Sequence, residues 1–156
     1  MMVKLAFFMI VILAVVAGCS GVPGVEISPA QAAQTILEKG GFSDTSALRE
    51  LPEYLVPNYY QIDDTVIEHS IIVDGSGASA REIAVLRISD INGISKAREI
   101  LEGRVRALER EFENYQPGEM EKIKNAVIIT RGNMAYLVVT DEPQKAKDAI
   151  ESLYKS

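Results

Sequence analysis

The stretch that decides the fold is EIAVLRISDINGISKAREILEGRVRALEREFEN, residues 82–114, because its apolar residues change their spacing partway along. Over residues 82–88, Ala84, Leu86 and Ile88 alternate with a second set, which is typical of a β-strand; that set is Ile83, Val85 and Arg87. Over residues 94–114 apolar residues recur every three or four positions, which predicts an amphipathic helix that packs against a sheet or another helix. The other side of this helix balances acidic with basic residues, and we expect it to be solvated; its basic residues are Lys96, Arg98, Arg104, Arg106 and Arg110.

A predicted strand at residues 66–73 precedes this stretch, and the glycine-containing loop 74–79 connects the two. Together they form a hairpin with a long connection. Closely spaced glycines can also turn backbone N–H groups toward an anion. The loop lacks the lysine of a Walker loop, so we interpret it as a chain reversal, with ligand contact through Ser76, Ser79 and Arg81 as the alternative.

A second hairpin is predicted at residues 126–140, where two apolar runs flank a tight Gly-Asn turn. The motif DEPQ then begins a final helix, with Asp141 as its N-cap and a glutamine three residues later. The order strand, strand, helix therefore occurs twice, at residues 66–113 and 126–154.

The N-terminal part of the domain is predicted to be helical. A helix begins at the Ser28 cap and ends at the glycine pair 40–41. Residues 44–62 suggest a further short helix, which Pro52 and Pro57 interrupt.

We therefore predict an α+β fold in which the N-terminal helix is followed by two strand-strand-helix units. Their strands form a four-stranded, mostly antiparallel sheet with the helices on one face. Residues 44–62 close the other face, or that face is an open contact surface. In the second case Val66, Ile72, Val85 and Val127 form an exposed apolar patch.

Three tyrosines, Tyr54, Tyr59 and Tyr60, lie in the least regular segment of the chain. Aromatic residues with a polar end often face a partner surface or a ligand such as a glycan. We favour the simpler interpretation that they pack over the open end of the sheet with their hydroxyls in water.

Residues 1–18 have the pattern of a secretory signal peptide, a basic residue followed by the apolar run 5–17. As a helix that run reaches only about 20 Å, short of the ~30 Å hydrocarbon core of a bilayer. The motif VAGC that ends at Cys19 resembles the bacterial lipobox, whose cysteine is linked to diacylglycerol and becomes the new N-terminus. We expect a signal peptide at 1–18, a lipidated tether at 19–27 and a single domain at 28–156, anchored on the extracytoplasmic face of a bacterial cell membrane.

Charge and residue counts exclude several kinds of chemistry. The chain has 16 Lys and Arg against 22 Asp and Glu; without residues 1–18, which contain Lys4, the balance is 15 − 22 = −7, which argues against nucleic acid as a partner. Cys19 is the only cysteine, and once lipidated it leaves no thiol for disulfides, catalysis or metal binding. His69 is the only histidine, which excludes multi-histidine metal sites. We predict no metal and no cofactor.

The run GSGASAREIAV at residues 75–85, the helix after it, and the segments NAVII and RGN at residues 125–129 and 131–133 resemble a known family. This is a family of small lipoproteins from Gram-positive bacteria, catalogued as a domain of unknown function. The similarity covers most of residues 30–154. It implies a lipobox followed by one domain on the outer face of the cell membrane, and it brings no catalytic residue and no ligand.

We expect the protein to be a membrane-anchored binding or protein-interaction module without enzymatic activity, with a membrane-proximal protein as its partner. The alternatives are a small-molecule-binding lipoprotein, a regulatory subunit of a membrane protein, and a hydrolase that acts on envelope material. The hydrolase would need His69 or a carboxylate pair as acid and base, placed in a cleft within hydrogen-bond reach of a serine or carboxylate.

Overall fold

The computed structural model describes residues 27–155. Within that range the strands are β1 (Leu48–Glu50), β2 (Val66–Asp74), β3 (Glu82–Ile88), β4 (Val127–Arg131) and β5 (Met134–Val139). The helices are α1 (Pro29–Lys39), α2 (Val56–Tyr59), α3 (Ile94–Phe112), α4 (Met120–Lys124) and α5 (Pro143–Ser152). Short 3₁₀ turns occupy Glu53–Leu55, Ile91–Gly93 and Pro117–Glu119.

The strands form one antiparallel sheet in the order β1-β2-β3-β5-β4. Both predicted hairpins are confirmed, and β3 begins and ends at the predicted residues. In the tight turn between β4 and β5, Gly132 has a φ of 56°, in the left-handed region that glycine adopts readily.

The prediction of a helix at the start of residues 44–62 is wrong, because residues 48–50 form the edge strand β1. These residues pair with residues 72–74 of β2. Their backbone N–H and C=O groups therefore form hydrogen bonds with a neighbouring strand instead of the hydrogen bonds of a helix. The sheet therefore has five strands instead of the predicted four. Pro57 lies in the first turn of α2, where the missing N–H of proline costs no hydrogen bond.

Helices cover both faces of the sheet, so the prediction of helices on one face is wrong. The α3 face packs against α3, α4 and residues 51–60, and the α1/α5 face packs against α1 and α5. Strand β3 shows the reason. Its Ala84 and Leu86 belong to the first layer, its Ile83 and Val85 belong to the second, and all four are fully buried. A strand that is apolar on both sides requires a covering layer on each.

The residues that were expected to form an open apolar patch are covered. Val85 and Val127 are buried in the α1/α5 layer, and Ile72 packs partly against it. Val66 joins the opposite layer because a β-bulge follows it and reverses the alternation of the strand. Residues 44–62 supply side chains to the α3 layer and not to the face that they were predicted to close.

The two predicted helix caps have different outcomes. Ser28 caps α1 as predicted, since its Oγ accepts a hydrogen bond from Gln31 N and its N donates to Gln31 Oε1. Asp141 does not cap α5. Its Oδ2 accepts hydrogen bonds from N (3.0 Å) and Oγ (2.8 Å) of Ser43, in the connection between α1 and β1. Pro143 lies in the first turn of α5 and lacks an N–H, so fewer donors there need a cap.

The chain enters the described domain beside the central strand. Arg87 Nη2 on β3 donates a hydrogen bond of 2.7 Å to the backbone oxygen of Ile27. None of the helices between residues 27 and 155 is long and apolar enough to cross a bilayer. The predicted signal peptide at 1–18, Cys19 and the tether before Ile27 lie outside the described residues.

Candidate functional site

A groove of about 520 Å³ lies between residues 57–61 and the outward side of α3. The short helix α2 ends at Tyr59, and the extended backbone of Tyr60 then carries the chain past α3. The side of α3 predicted to be simply solvated thus forms one wall of the groove. The lining includes Tyr59, Tyr60, Gln61, Arg104, Arg106 and Arg110.

Arg104 forms part of the floor of this groove and corrects the prediction for α3. It was expected on the solvated side, but it is buried, as is its partner Glu82 at the start of β3. Arg104 Nε donates to Glu82 Oε1 at 2.9 Å, and Arg104 Nη2 donates to Glu82 Oε2 at 2.7 Å. This two-point contact between a guanidinium and a carboxylate compensates for the removal of both charges from water.

The tyrosines of the groove complete this cluster. The hydroxyl of Tyr60 donates a hydrogen bond to Glu82 Oε1. The guanidinium carbon of Arg104 lies 4.6 Å from the ring centre of Tyr59 and 5.9 Å from that of Tyr60. Such distances allow a cation–π attraction. The cluster of Tyr59, Tyr60, Glu82 and Arg104 therefore joins the groove to the centre of the sheet.

The prediction that the tyrosine hydroxyls lie in water is wrong for Tyr60, which is 1% exposed. Tyr59 is partly buried against the α3 layer. Tyr54 is 79% exposed, as that prediction requires. Three neighbouring residues of one type thus have three different environments, because only Tyr60 lies opposite a buried carboxylate.

Electrostatics fixes the protonation states of two members of the cluster. Burial raises the pKa of Tyr60 well above its usual value, and the negative charge of Glu82 raises it further. Burial alone would lower the pKa of Arg104, but the hydrogen bonds and charge of Glu82 outweigh it and raise that pKa. At neutral pH Tyr60 is therefore a neutral donor and Arg104 a cation, and the hydrogen-bonding groups of Tyr60, Glu82 and Arg104 satisfy one another.

The loop 74–79 is not among the residues that line the groove, and its polar side chains bond within the loop and to Arg81 and Glu119. Ser76 N donates to Asp74 Oδ1 at 2.9 Å, and Arg81 Nη2 donates to Asp74 Oδ2 at 2.9 Å. Ser79 Oγ donates to Glu119 Oε2 at 2.8 Å. The loop connects β2 to β3, as the chain-reversal interpretation requires. Ligand contact through Ser76, Ser79 and Arg81 stays a prediction. The two serines and both terminal nitrogens of Arg81 already have partners within the described chain, whereas the buried Nε of Arg81 has none there.

His69 also lies outside the groove. Its Nε2 is 3.1 Å from Oε2 of Glu53, whose side chain is 82% exposed. The carboxylate that an acid–base mechanism would need is thus within reach, but the pair lies on the surface of β2 and the preceding turn. Among residues 27–155 no group of three or more His, Cys, Asp or Glu side chains is arranged to hold a metal ion.

Sequence reasoning missed Glu82 and Arg104, although one signal could have revealed the arginine. Arg104 stands three residues after Leu101 and four before Leu108, both of which are buried on α3. An arginine at that spacing belongs to the buried stripe of the helix and requires a buried acidic partner. The sequence does not reveal which carboxylate that is, because Glu82 is brought to it by the tertiary fold.

Residues 43–140 match the family described as Domain of unknown function (DUF4358). The matched range runs from the connection after α1 to the end of β5, and it contains the groove and its floor. This confirms the expected resemblance to a domain of unknown function. No curated protein and no solved structure matches the chain.

Proposed function

We propose that this chain, which belongs to the DUF4358 family, is a lipid-anchored binding module on the outer face of a Gram-positive cell membrane. Its binding site is the groove between residues 57–61 and α3. The proposal has two parts, the anchor at Cys19 and the groove, and each has its own test.

The anchor is supported by the sequence around Cys19. The apolar run 5–17 and the motif VAGC are typical of a lipoprotein signal, and residues 20–27 include glycines and a proline that oppose regular structure. Fully extended at ~3.1 Å per residue, residues 20–27 reach about 25 Å. A domain on such a tether stays close to the bilayer, so its partners or ligands are membrane-proximal.

The groove carries the functional part of the proposal. It is concave, its floor is a buried ion pair held by hydrogen bonds, and its walls supply aromatic rings and guanidinium groups. Tyrosine and arginine are the residue types that contribute most to recognition surfaces. A floor that is satisfied within the chain does not need to rearrange when something binds, which favours recognition over catalysis.

The anchor is tested with Cys19→Ser in the full chain, expressed in a Gram-positive host. We expect incorporation of radiolabelled palmitate and partition into the detergent phase to be lost, and both to persist in the control Ser20→Ala. Retention of the label by Cys19→Ser would show that the anchor is elsewhere or absent.

The groove is tested by photocrosslinking in intact cells. A photoreactive amino acid replaces Gln61 in the groove wall or, as the control, the exposed Lys147 on α5. We expect a defined adduct from position 61 and none from position 147, and the mass of the adduct distinguishes a small ligand from a protein. Equal adducts from both positions, or none from position 61, would contradict the groove as the binding site.

A further inference from the structure

We infer that the groove binds a small ligand with two anionic groups, phosphates or carboxylates, held by Arg106 and Arg110. The inference rests on the proposed function, because it specifies what the groove recognises. It follows from the pairing of charges on α3, the spacing of the two arginines and the placement of Arg106.

Most cations on α3 have an acidic partner. Lys96 Nζ lies 3.5 Å from Glu99 Oε2, Arg98 Nη1 lies 3.7 Å from Glu102 Oε1, and Arg104 is paired with Glu82. Within the part of the chain that the structure describes, no hydrogen bond or ion pair is found for Arg106 or Arg110, which are both exposed and line the groove. The groove therefore contains two guanidinium groups without an ion pair in the described chain, beside Lys96 and Glu99, which pair with each other, in a chain whose net charge is −6.

The spacing of these arginines suits a ligand with two charges. Residues four apart lie on the same side of a helix, about 6 Å apart along its axis. Like charges at this spacing repel each other. Glu102 and Glu109 lie within one turn of Arg106, and Glu113 lies within one turn of Arg110, but none of them forms an ion pair with either arginine in the described chain. Each guanidinium can bind one carboxylate or phosphate through two parallel N–H groups, so a ligand with two such groups occupies both and removes the repulsion.

The groove also directs one of these side chains. Arg106 Nη2 lies 3.8 Å from the position that a Cβ on Gly103 would take. The guanidinium therefore lies along the helix over Gly103, where the absence of a side chain leaves room beside it. Because Gly103 also lines the groove, this position keeps the charge of Arg106 within the groove.

The floor does not oppose an anion. The carboxylate of Glu82 is covered by the guanidinium of Arg104 and the hydroxyl of Tyr60, and it is 1% exposed. A ligand on the wall would therefore meet the arginine side of this pair and the edge of Tyr59, with the acidic member shielded beneath them. The exposed carboxylate in the groove wall, that of Glu99, is paired with Lys96.

The test is calorimetric titration of the full chain in detergent micelles with three probes, inorganic phosphate, pyrophosphate and citrate. We expect pyrophosphate or citrate to bind more tightly than phosphate, and the preferred probe identifies phosphate or carboxylate as the recognised group. In Arg106→Ala/Arg110→Ala we expect the Kd to rise at least about tenfold, which corresponds to about 1.4 kcal/mol. The control Arg98→Ala/Lys147→Ala removes the same charge outside the groove and should change the Kd less than about twofold.

Three results would overturn the inference: no binding of any probe to the unaltered chain, equal affinity for phosphate and for both larger probes, or equal weakening in the two double variants. Such a failure is distinguishable from failure of the proposed function. If the photoreactive group at position 61 still captures an adduct in cells, the groove is a binding site for a ligand of another class.

Discussion

The two faces of the sheet are both covered by helices, but they are covered by different kinds of side chain. On the α1/α5 face the helices contribute small or aliphatic residues, with Ala32, Ala33, Ile36, Ala146 and Ala149 among those buried there. On the α3 face the apolar layer includes the cluster of Glu82, Arg104 and Tyr60, and the groove lies above it.

This difference separates two tasks. Alanines allow α1 and α5 to approach the sheet closely, and dispersion and hydrophobic burial hold that layer together. A buried ion pair contributes little net stability compared with apolar residues of the same size, so its presence on the α3 face needs another explanation. In our proposal that explanation is the shape and charge of the groove.

The largest expected effect comes from breaking the buried pair at one partner. Arg104→Met leaves the carboxylate of Glu82 buried without its cation, which we expect to lower the free energy of unfolding by about 3–5 kcal/mol. The double variant Glu82→Leu/Arg104→Met removes both charges and should recover most of that loss. Urea denaturation measures both, and equal losses in the single and double variants would show that the charges are not what stabilises this face.

The matching change on the α1/α5 face is Ile36→Ala. Ile36 is fully buried, so the lost contacts and the remaining cavity should lower the free energy of unfolding by about 3 kcal/mol. Ile67, on β2, is 60% exposed, and Ile67→Ala should change that energy by less than about 0.5 kcal/mol. If the two faces have separate tasks, Ile36→Ala also leaves the adduct at position 61 unchanged at a temperature where the variant is folded.

A third change tests the contact that joins the two layers at one end of the sheet. Asp141 accepts hydrogen bonds from Ser43, and its Oδ1 lies 3.1 Å from Nζ of Lys122, which belongs to α4 on the other face. Partial burial opposes the charge of Asp141, but the bonds from Ser43 and the cation of Lys122 outweigh it and lower the pKa to about 2.

Because this pKa is lower in the folded state, the contact stabilises fully above the ordinary pKa of 3.8 and is lost as the pH falls toward about 2. The carboxylate is partly in solvent, so we expect Asp141→Asn to cost about 1–2 kcal/mol at pH 6. Urea denaturation at pH 6, 4 and 3 should show the gap between variant and unaltered chain narrowing. Asp148→Asn, on the surface of α5, is the control, and a gap independent of pH would contradict the ion pair.

The smallest expected effect concerns the arginines of the groove wall. Arg106→Ala/Arg110→Ala should change the free energy of unfolding by less than about 0.5 kcal/mol, since both side chains are exposed. Arg104→Met should lower the free energy of unfolding, and this double variant should not. The two results together would show that the arginines exposed on α3 are not needed for stability, whereas the buried arginine is. A loss above about 2 kcal/mol in urea denaturation would mean that these side chains hold the fold and are not free for a ligand.

The elements that could be predicted from the sequence are those whose signals are local. Three such signals are confirmed: the alternation over residues 82–88, the Gly-Asn turn, and the recurrence of apolar residues every three or four positions along α3. Each is contained in one continuous stretch of sequence. Strand β1 has three residues, too few to show any period. Asp141 has the composition of a cap, but it bonds to Ser43, 98 residues earlier, and the local sequence contains no trace of that partner.

The candidate site was less predictable than the fold because its central residues, Glu82 and Arg104, differ from other charged residues only in being buried. Burial depends on the tertiary fold. Arg104 has the same residue type as its solvated neighbours Arg98 and Arg106, and only its phase on α3 distinguishes it. The apolar run of residues 83–86 was a clearer signal that the sheet has two covered faces, since alternation with polar residues is missing there. Reading that run as buried on both sides would have placed helices on each face.

The hydrogen bond from Arg87 to the backbone of Ile27 has a mechanical consequence. It attaches the N-terminal end of the domain to β3, the middle strand of the sheet, which is paired on both sides. A pull on the N-terminus is therefore shared between the backbone that enters α1 and the side chain of Arg87, and the share on Arg87 acts on a strand held by two ladders of backbone hydrogen bonds. An edge strand loaded in the same way would detach from its single neighbour one bond at a time.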